Sequence, residues 1–519
     1  MSLIILYYLL VLIFILGFMF FLKGVYGFIS SSMMNTDFNL SLMFDNHMMV
    51  YFTYVVIILS FVIVMYANFY MEHDLFVSRF LFLLLSFIIS MIVLNLSYSC
   101  WMLWLGWEGL GVTSFLLIIY YFNWKSSNSS MVTLMLNRLG DFSLLLGLLS
   151  FCLIQSWNVV NFKFSPWILI LVVLAMVAKS AQIPLQSWLP AAMAAPTPVS
   201  SLVHSSTLVV AGTVLCLKFN NYFFSYSMYW LALLGFLTSF YASIMAYVEQ
   251  DFKKIMAYST MSQIAMIMFM LSTNLNKLMF MHIMNHAFAK ALLFLSVGVY
   301  IMYMFGSQEA RMLELKMYSN KMSSFLMMSC LLVMCGIYFL SCYYSKEFVL
   351  LFSYYQETLM LITNVMIFLS LAYSLRLIIF LIKSLELKLK PTFLSNVNYM
   401  SMVLFMIMIS NGWFMIYNYS MPFNLQFSME KNYLMLVPLL IVIFSILYYK
   451  NLEILNLDYL YQSSFYPSWI TMENIKTKLK TISLSMNFVS MQFSFMINMK
   501  MLTLPFLFML ILLLIFYLN

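Results

Sequence analysis

Charge is scarce in this chain. Of its 519 residues, 8% are Asp, Glu, Lys or Arg, against roughly 25% in a soluble domain, while 64% are hydrophobic. A soluble globular fold is excluded. The net charge of +8, from 25 basic and 17 acidic residues, is too small and too scattered for nucleic-acid binding, and lysines near membrane ends ordinarily serve as topology anchors. The six cysteines, Cys100, Cys152, Cys216, Cys330, Cys335 and Cys342, lie in apolar runs without the short paired spacings of iron–sulfur or zinc sites, and read as buried thiols. No Gly-rich phosphate loop or haem-ligand pattern occurs, so the sequence offers no site for a nucleotide, flavin, haem or cluster.

What the chain has is apolar runs of about 20 residues, long enough to cross a hydrocarbon core, and about fifteen of them recur from end to end. Stretches such as Tyr54 to Met65 and Leu144 to Leu153 are apolar on every face, unlike the alternating segments of a membrane barrel. The fold class is therefore an all-α polytopic membrane bundle. The first run, Leu3 to Phe21, lacks the basic flank and small-residue cleavage site of a secretory signal and reads as a spanning helix. Fifty methionines and fifty phenylalanines stand where Leu or Ile would pack as well; our hypothesis is an AT-rich organelle genome, which a GC-rich nuclear reading frame would refute.

Short polar breaks at Glu72 to Asp74, Lys125 to Ser130, Asn220 to Asn221, Glu249 to Lys254 and Ser272 to Lys277 are too short for a separate soluble domain. The chain divides into N-terminal membrane helices (1–98), a central core (99–382), further membrane helices (383–449), a polar stretch (450–500) and a terminal anchor (501–519). In the polar stretch, Ile470 to Ile497 mixes Lys476, Lys478, Lys480 and serines with apolar residues; it is either an amphipathic helix on the membrane surface or an extramembrane loop.

The informative residues are charges inside apolar runs, each costing roughly 2.5–3.5 kcal/mol at a helix centre. Lys179 follows Ile168 to Ala178, about 17 Å from the start of its helix. Snorkelling would need about three turns of reach where only one or two are available. Pro184, Pro190, Pro196 and Pro198 follow; Pro196 and Pro198 fit an inter-helix turn, whereas Pro184 breaks the chain beside the buried lysine, as at a transport site. His282, His286 and Lys290, spaced by four, fall within roughly 80° on one helix face. Histidine passes protons near neutral pH. Metal binding by the histidine pair lacks a following Glu, and a hydrogen-bonded packing role for one histidine stays open. Glu108, in Trp107-Glu108-Gly109-Leu110-Gly111, would stay ionised beside Lys179. His204 is the remaining imidazole, as a relay or a satisfied core residue.

These segments resemble the proton-translocating membrane chains of respiratory complex I and the related cation/proton antiporter subunits. The resemblance runs roughly from Cys100 to Glu347 and is densest at Ala178-Lys179-Ser180-Ala181-Gln182-Ile183-Pro184, Trp188-Leu189-Pro190-Ala191-Ala192-Met193 and Pro196-Thr197-Pro198-Val199-Ser200-Ser201-Leu202-Val203-His204. Three further stretches single out one branch among the sister chains. They are Trp107 to Gly111, Asn137-Arg138-Leu139-Gly140-Asp141, and Asn285-His286-Ala287-Phe288-Ala289-Lys290. Asp251 to Thr260 matches the next loop and helix start, which makes Lys254 a loop residue outside the relay.

The resemblance implies two inverted five-helix repeats, each with a discontinuous helix, a lateral C-terminal helix and an anchor. Lys179 would stand at the first break and Lys346 at the second. The implied proton relay is Glu108, Lys179, His204, His282, His286, Lys290, Lys346 and Glu347, supported by Pro184, Arg138 and Asp141. The implied setting is the mitochondrial inner membrane, beside other complex I subunits, the adjacent antiporter-like chain above all, and lipids including cardiolipin. FMN, iron–sulfur clusters and quinone would belong to partner subunits, with no cofactor and no metal in this chain. A subunit of a multi-chain sodium/proton antiporter and a passive assembly scaffold are the alternatives. Three features depart from the family pattern. Glu347 replaces the usual aspartate, Gln308-Glu309-Ala310-Arg311 lacks the following glycine pair, and the C-terminal quarter matches only in character.

Overall fold

The computed structural model describes residues 29–32, 39–42, 47–152 without 73 and 98, 166–219, 225–303 without 274, 306, 308–310, 321–353 without 338 and 339, 357–385, and 401–411 without 410. The chain divides into two units, Met1–Val442 and Ile443–Asn519, and every described residue lies in the first. The run Leu3 to Phe21, the lateral helix, the terminal anchor, Arg311 and most of 383–449 lie outside the described residues.

A short antiparallel pair, β1 (Ile29–Ser32) and β2 (Asn39–Leu42), precedes the helices, with Ile29 opposite Leu42; nothing in the apolar pattern announces it. The helices are α1 (His47–Tyr70), α2 (Val77–Leu96), α3 (Cys100–Ile118), α4 (Trp124–Cys152), α5 (Pro166–Lys179), α6 (Thr197–Phe219), α7 (Ser225–Val248), α8 (Phe252–Ser272), α9 (Asn276–Tyr303), α10 (Lys321–Cys335), α11 (Ser341–Ser353) and α12 (Glu357–Leu385). Among the described residues nine helices are long and apolar enough to cross a membrane, and α5 and α10 are shorter apolar helices.

The polar breaks act through their backbone chemistry rather than their polarity. Lys125 to Ser130, expected to separate helices, forms the first turns of α4. There Ser126, Ser127, Ser129 and Ser130 turn their hydroxyls back onto carbonyls three residues earlier, which satisfies them without interrupting the helix. The break itself is the left-handed Phe122 (φ 51°) and Asn123. At the end of α7, Arg376 donates to the carbonyls of Ala246, Tyr247 and Glu249, closing off acceptors that a helix end leaves free.

Burial grades from outside to inside. The most apolar windows of α2 and α3 are 39% buried, those of α6 and α8 are 89% and 94%, and that of α9 is wholly buried. The core therefore sits around α6, α8 and α9. In a bilayer, helices associate through close packing and small residues rather than through hydrophobic expulsion. At Gly140 of α4, an added Cβ would lie 2.5 Å from Ala178 Cβ of α5. That close approach brings Asp141 to Lys179.

Two helices are interrupted. After α5 the chain turns through left-handed Ala181 (φ 52°) and a cis Ile183–Pro184 bond into short turns at Trp188–Ala191 and Ala192–Ala194. Pro184 cannot donate to the carbonyl of Ser180, as a helical residue there would; the Gln182 side-chain amide donates to it instead at 3.1 Å. Trp188 Nε1 likewise takes the carbonyl of Ala178 at 2.9 Å. The second interruption falls inside what reads in sequence as one run from Phe325 to Tyr344. Left-handed Gly336 (φ 76°) ends α10, and α11 restarts at Ser341.

Candidate functional site

Lys179, the last residue of α5, is completely buried. Its Nζ lies 3.6 Å from Asp141 Oδ1, donates to the Trp107 carbonyl at 3.0 Å and sits 4.8 Å from the centre of the Trp107 ring. Gly111, one turn beyond Trp107 on α3, keeps the pair accessible to each other: an added Cβ would stand 3.4 Å from Asp141 Oδ2 and 3.5 Å from Lys179 Nζ. Glu108 pairs with Arg138 rather than with Lys179. Arg138 Nε lies 3.9 Å from Asp141 Oδ2, so the four charges form a row from Glu108 through Arg138 and Asp141 to Lys179. The outer end is half open, with the Arg138 side chain 42% exposed, and the inner end is dry.

His204 lies in α6, where Ser200–Thr207 is wound as a π-helix, a form that occurs mostly as single turns at functional sites. Thr207 Oγ1 bonds back five residues to the Leu202 carbonyl at 2.9 Å. The imidazole is 6.3 Å from the Trp188 ring, centre to centre. Among the described residues neither of its nitrogens has a hydrogen-bond partner, and the same holds for His286.

The stripe on α9 is buried throughout, and His282 and Lys290 reach outward to other helices instead of to one another. His282 Nδ1 is 2.8 Å from Ser345 Oγ on α11 and its Nε2 is 3.2 Å from Gln263 Oε1 on α8. The Ser345 hydroxyl also donates to the Cys342 carbonyl at 3.0 Å. Gln263 donates from its amide to the Tyr373 hydroxyl of α12 at 3.0 Å. Lys290 Nζ donates to Ser259 Oγ on α8 at 2.5 Å.

Lys346 is buried at the second interruption, in the first turns of α11. It donates to the Met334 carbonyl of α10 at 2.6 Å and to Ser370 Oγ of α12 at 3.3 Å. Gly336 gives it room, since a Cβ there would come within 3.1 Å of Lys346 Cδ. Glu347 is buried beside it. The described residues form no group of three His, Cys, Asp or Glu arranged to hold a metal.

Sequence reasoning gives no reason to single out Lys218, yet it donates to the carbonyls of Leu94 and Ser97 and to Ser97 Oγ at 2.7–2.8 Å, capping α2. Lys253, beside the expected loop residue, is buried and donates to the Ala195 carbonyl at 3.0 Å. Lys254 is half exposed and paired with Asp251 at 2.7 Å. Only the burial of a lysine distinguishes these cases, and neighbouring helices decide it.

Residues 97–373 match the family model described as NADH:quinone oxidoreductase/Mrp antiporter, TM. The chain is similar to NADH-ubiquinone oxidoreductase chain 5 of Anopheles arabiensis, 41% identical over 327 residues that take in 62% of this chain and 85% of that one. A match of the same length and identity to chain 5 of Anopheles gambiae spans only 56% of that relative. Chain 5 of Caenorhabditis elegans is 33% identical over 487 residues, 89% of this chain and 90% of the relative. Among solved structures, the membrane-bound sulfane sulfur reductase, an archaeal respiratory membrane complex, contains a chain of like fold. Its TM-score is 0.72 at 18% identity, over 80% of this chain and 89% of that one.

Proposed function

Since the chain belongs to the NADH:quinone oxidoreductase/Mrp antiporter family of membrane subunits, and within it to the NADH-ubiquinone oxidoreductase chain 5 group, we propose that it carries protons across the inner mitochondrial membrane as a subunit of complex I. Electron transfer from NADH to ubiquinone, on partner subunits that hold FMN, iron–sulfur clusters and quinone, supplies the energy. The adjacent antiporter-like chain and the surrounding lipid complete its contacts.

The observation that carries this reading is the fully buried Lys179 facing Asp141 at an interrupted helix. A membrane bundle that served only as a scaffold has no use for such a pair, because buried ion pairs seldom add net stability. Their use is in switching. Moving one proton against about 100 mV costs about 2.3 kcal/mol, and the attraction of two charges a few ångströms apart in protein reaches about 4 kcal/mol. Making or breaking one such contact is enough to drive a proton one step.

In this scheme the row Glu108, Arg138, Asp141 and Lys179 is the first station, with Glu108 and Arg138 at its open end. His204 follows, then His286 and Lys290, then His282 and Lys346, with Glu347 at the far end. A change of charge at one station alters what its neighbour can hold.

Replacing Lys179 by Met in the assembled complex tests the reading. NADH-driven proton uptake into vesicles, measured per NADH oxidised, should drop while the complex still assembles. An unchanged ratio in the assembled Lys179→Met complex rejects the relay. A sodium-dependent exchange without NADH would move the chain to the antiporter side of its family.

A further inference from the structure

The stretch following α12 reaches the second interruption through a chain of buried amides. Asn411, at the end of the described residues 401–411, donates from Nδ2 to Asn285 Oδ1 at 2.7 Å. Asn285 lies on α9 between His282 and His286, and its own Nδ2 donates to the carbonyl of Ser341 at 2.8 Å. Ser341 is the first residue of α11, four residues before the Ser345 that holds His282 and five before Lys346. At its other end Asn411 Oδ1 accepts from the Tyr51 hydroxyl of α1 at 3.0 Å. Both asparagines are at most 4% exposed.

This arrangement has a definite polarity. Each amide uses its donor toward the interruption and its acceptor away from it, so the chain runs from Tyr51 through Asn411 and Asn285 to the backbone of α11. A buried amide left without its partner is costly, and the chain therefore fixes where α11 begins relative to α9. The register of α11 against α9 in turn sets the 2.8 Å contact between His282 and Ser345 and the reach of Lys346 to Met334 across the interruption.

We propose that Asn285 and Asn411 are positioning residues for the second half of the relay, and that Asn411 holds the second interruption in its working register. The proposal rests on the proton-carrying reading given above. Neither asparagine touches the proton path itself, and their effect passes through Ser341, Ser345 and His282.

The experiment uses the assembled complex in vesicles and three substitutions at Asn411. Asn411→Leu removes both bonds, Asn411→Asp keeps the acceptor for Tyr51 but loses the donor to Asn285, and Asn411→Gln keeps both kinds of group. Coupling residues of this sort change function by about twofold or more when removed. Proton uptake per NADH should fall to that extent in Asn411→Leu and Asn411→Asp and recover in Asn411→Gln, while NADH oxidation in the presence of uncoupler stays at the wild-type rate.

A residue that only supports folding would lower the amount of complex and leave the ratio per NADH unchanged in all three, and that result overturns the proposal. A ratio lowered by Asn411→Leu but not by Asn411→Asp also overturns it, because the bond to Asn285 would then be irrelevant. Lys179→Met run in parallel separates the two readings. If Lys179→Met lowers the ratio and the Asn411 variants do not, the positioning role alone fails; if Lys179→Met leaves it unchanged, the relay fails.

Discussion

Asp141→Asn is the substitution that isolates the inner end of the first charge row. The side chain keeps its shape and loses its charge, leaving Lys179 with the Trp107 carbonyl and ring as its remaining partners. At 3.6 Å the attraction between unit charges at an effective dielectric of about 20 is about 5 kcal/mol, and removing one member of a buried pair typically costs about 3–5 kcal/mol. The attraction lost exceeds the cost of about 2.3 kcal/mol for one proton at about 100 mV. The step at Lys179 should therefore stall. The assay is proton uptake per NADH in vesicles holding the assembled complex, with NADH oxidation under uncoupler as the internal reference. Uptake should fall sharply in Asp141→Asn and less in Arg138→Gln, whose guanidinium is 3.9 Å from Asp141 and 42% exposed in its side chain. A wild-type ratio in an Asp141→Asn complex that assembles normally would refute the electrostatic argument.

Two further outcomes follow from the packing and the hydrogen bonds. Gly140→Val places branched carbon where a single Cβ already comes within 2.5 Å of Ala178 Cβ, so α4 and α5 must separate, and native gel electrophoresis should find little assembled complex. Gln263→Leu strips both His282 Nε2 and the Tyr373 hydroxyl of a partner, a loss of roughly 1–3 kcal/mol, and should lower proton uptake per NADH with assembly retained; unchanged uptake would remove His282 from the path.

Much of the fold is written in local terms, and those parts are legible. Apolar length predicts the spanning helices, Pro184 marks the first interruption, and the spacing of His282, His286 and Lys290 places them on one face. What the sequence does not carry is which helix lies opposite. Charge pairing in a bundle suggests Lys179 as the partner of Glu108, but the sequence cannot tell that Arg138 of α4 comes first and that Asp141, one turn further, faces the lysine. Four-residue spacing puts the three on one face but names no partners; those of His282 and Lys290 are Ser345, Gln263 and Ser259, from α11 and α8. The second interruption is hidden in a run that looks continuous, because a single glycine in the left-handed region ends a helix without any change in hydropathy. Lys346 consequently reads as a residue near a helix end, and only the break at Gly336 returns it to the core.

The bond from Lys346 to the Met334 carbonyl joins the two halves of the interrupted helix across their gap. A charged ammonium makes a hydrogen bond roughly twice as strong as a neutral amine does. The clasp between α10 and α11 is therefore firm when the lysine carries its proton and slack when it does not.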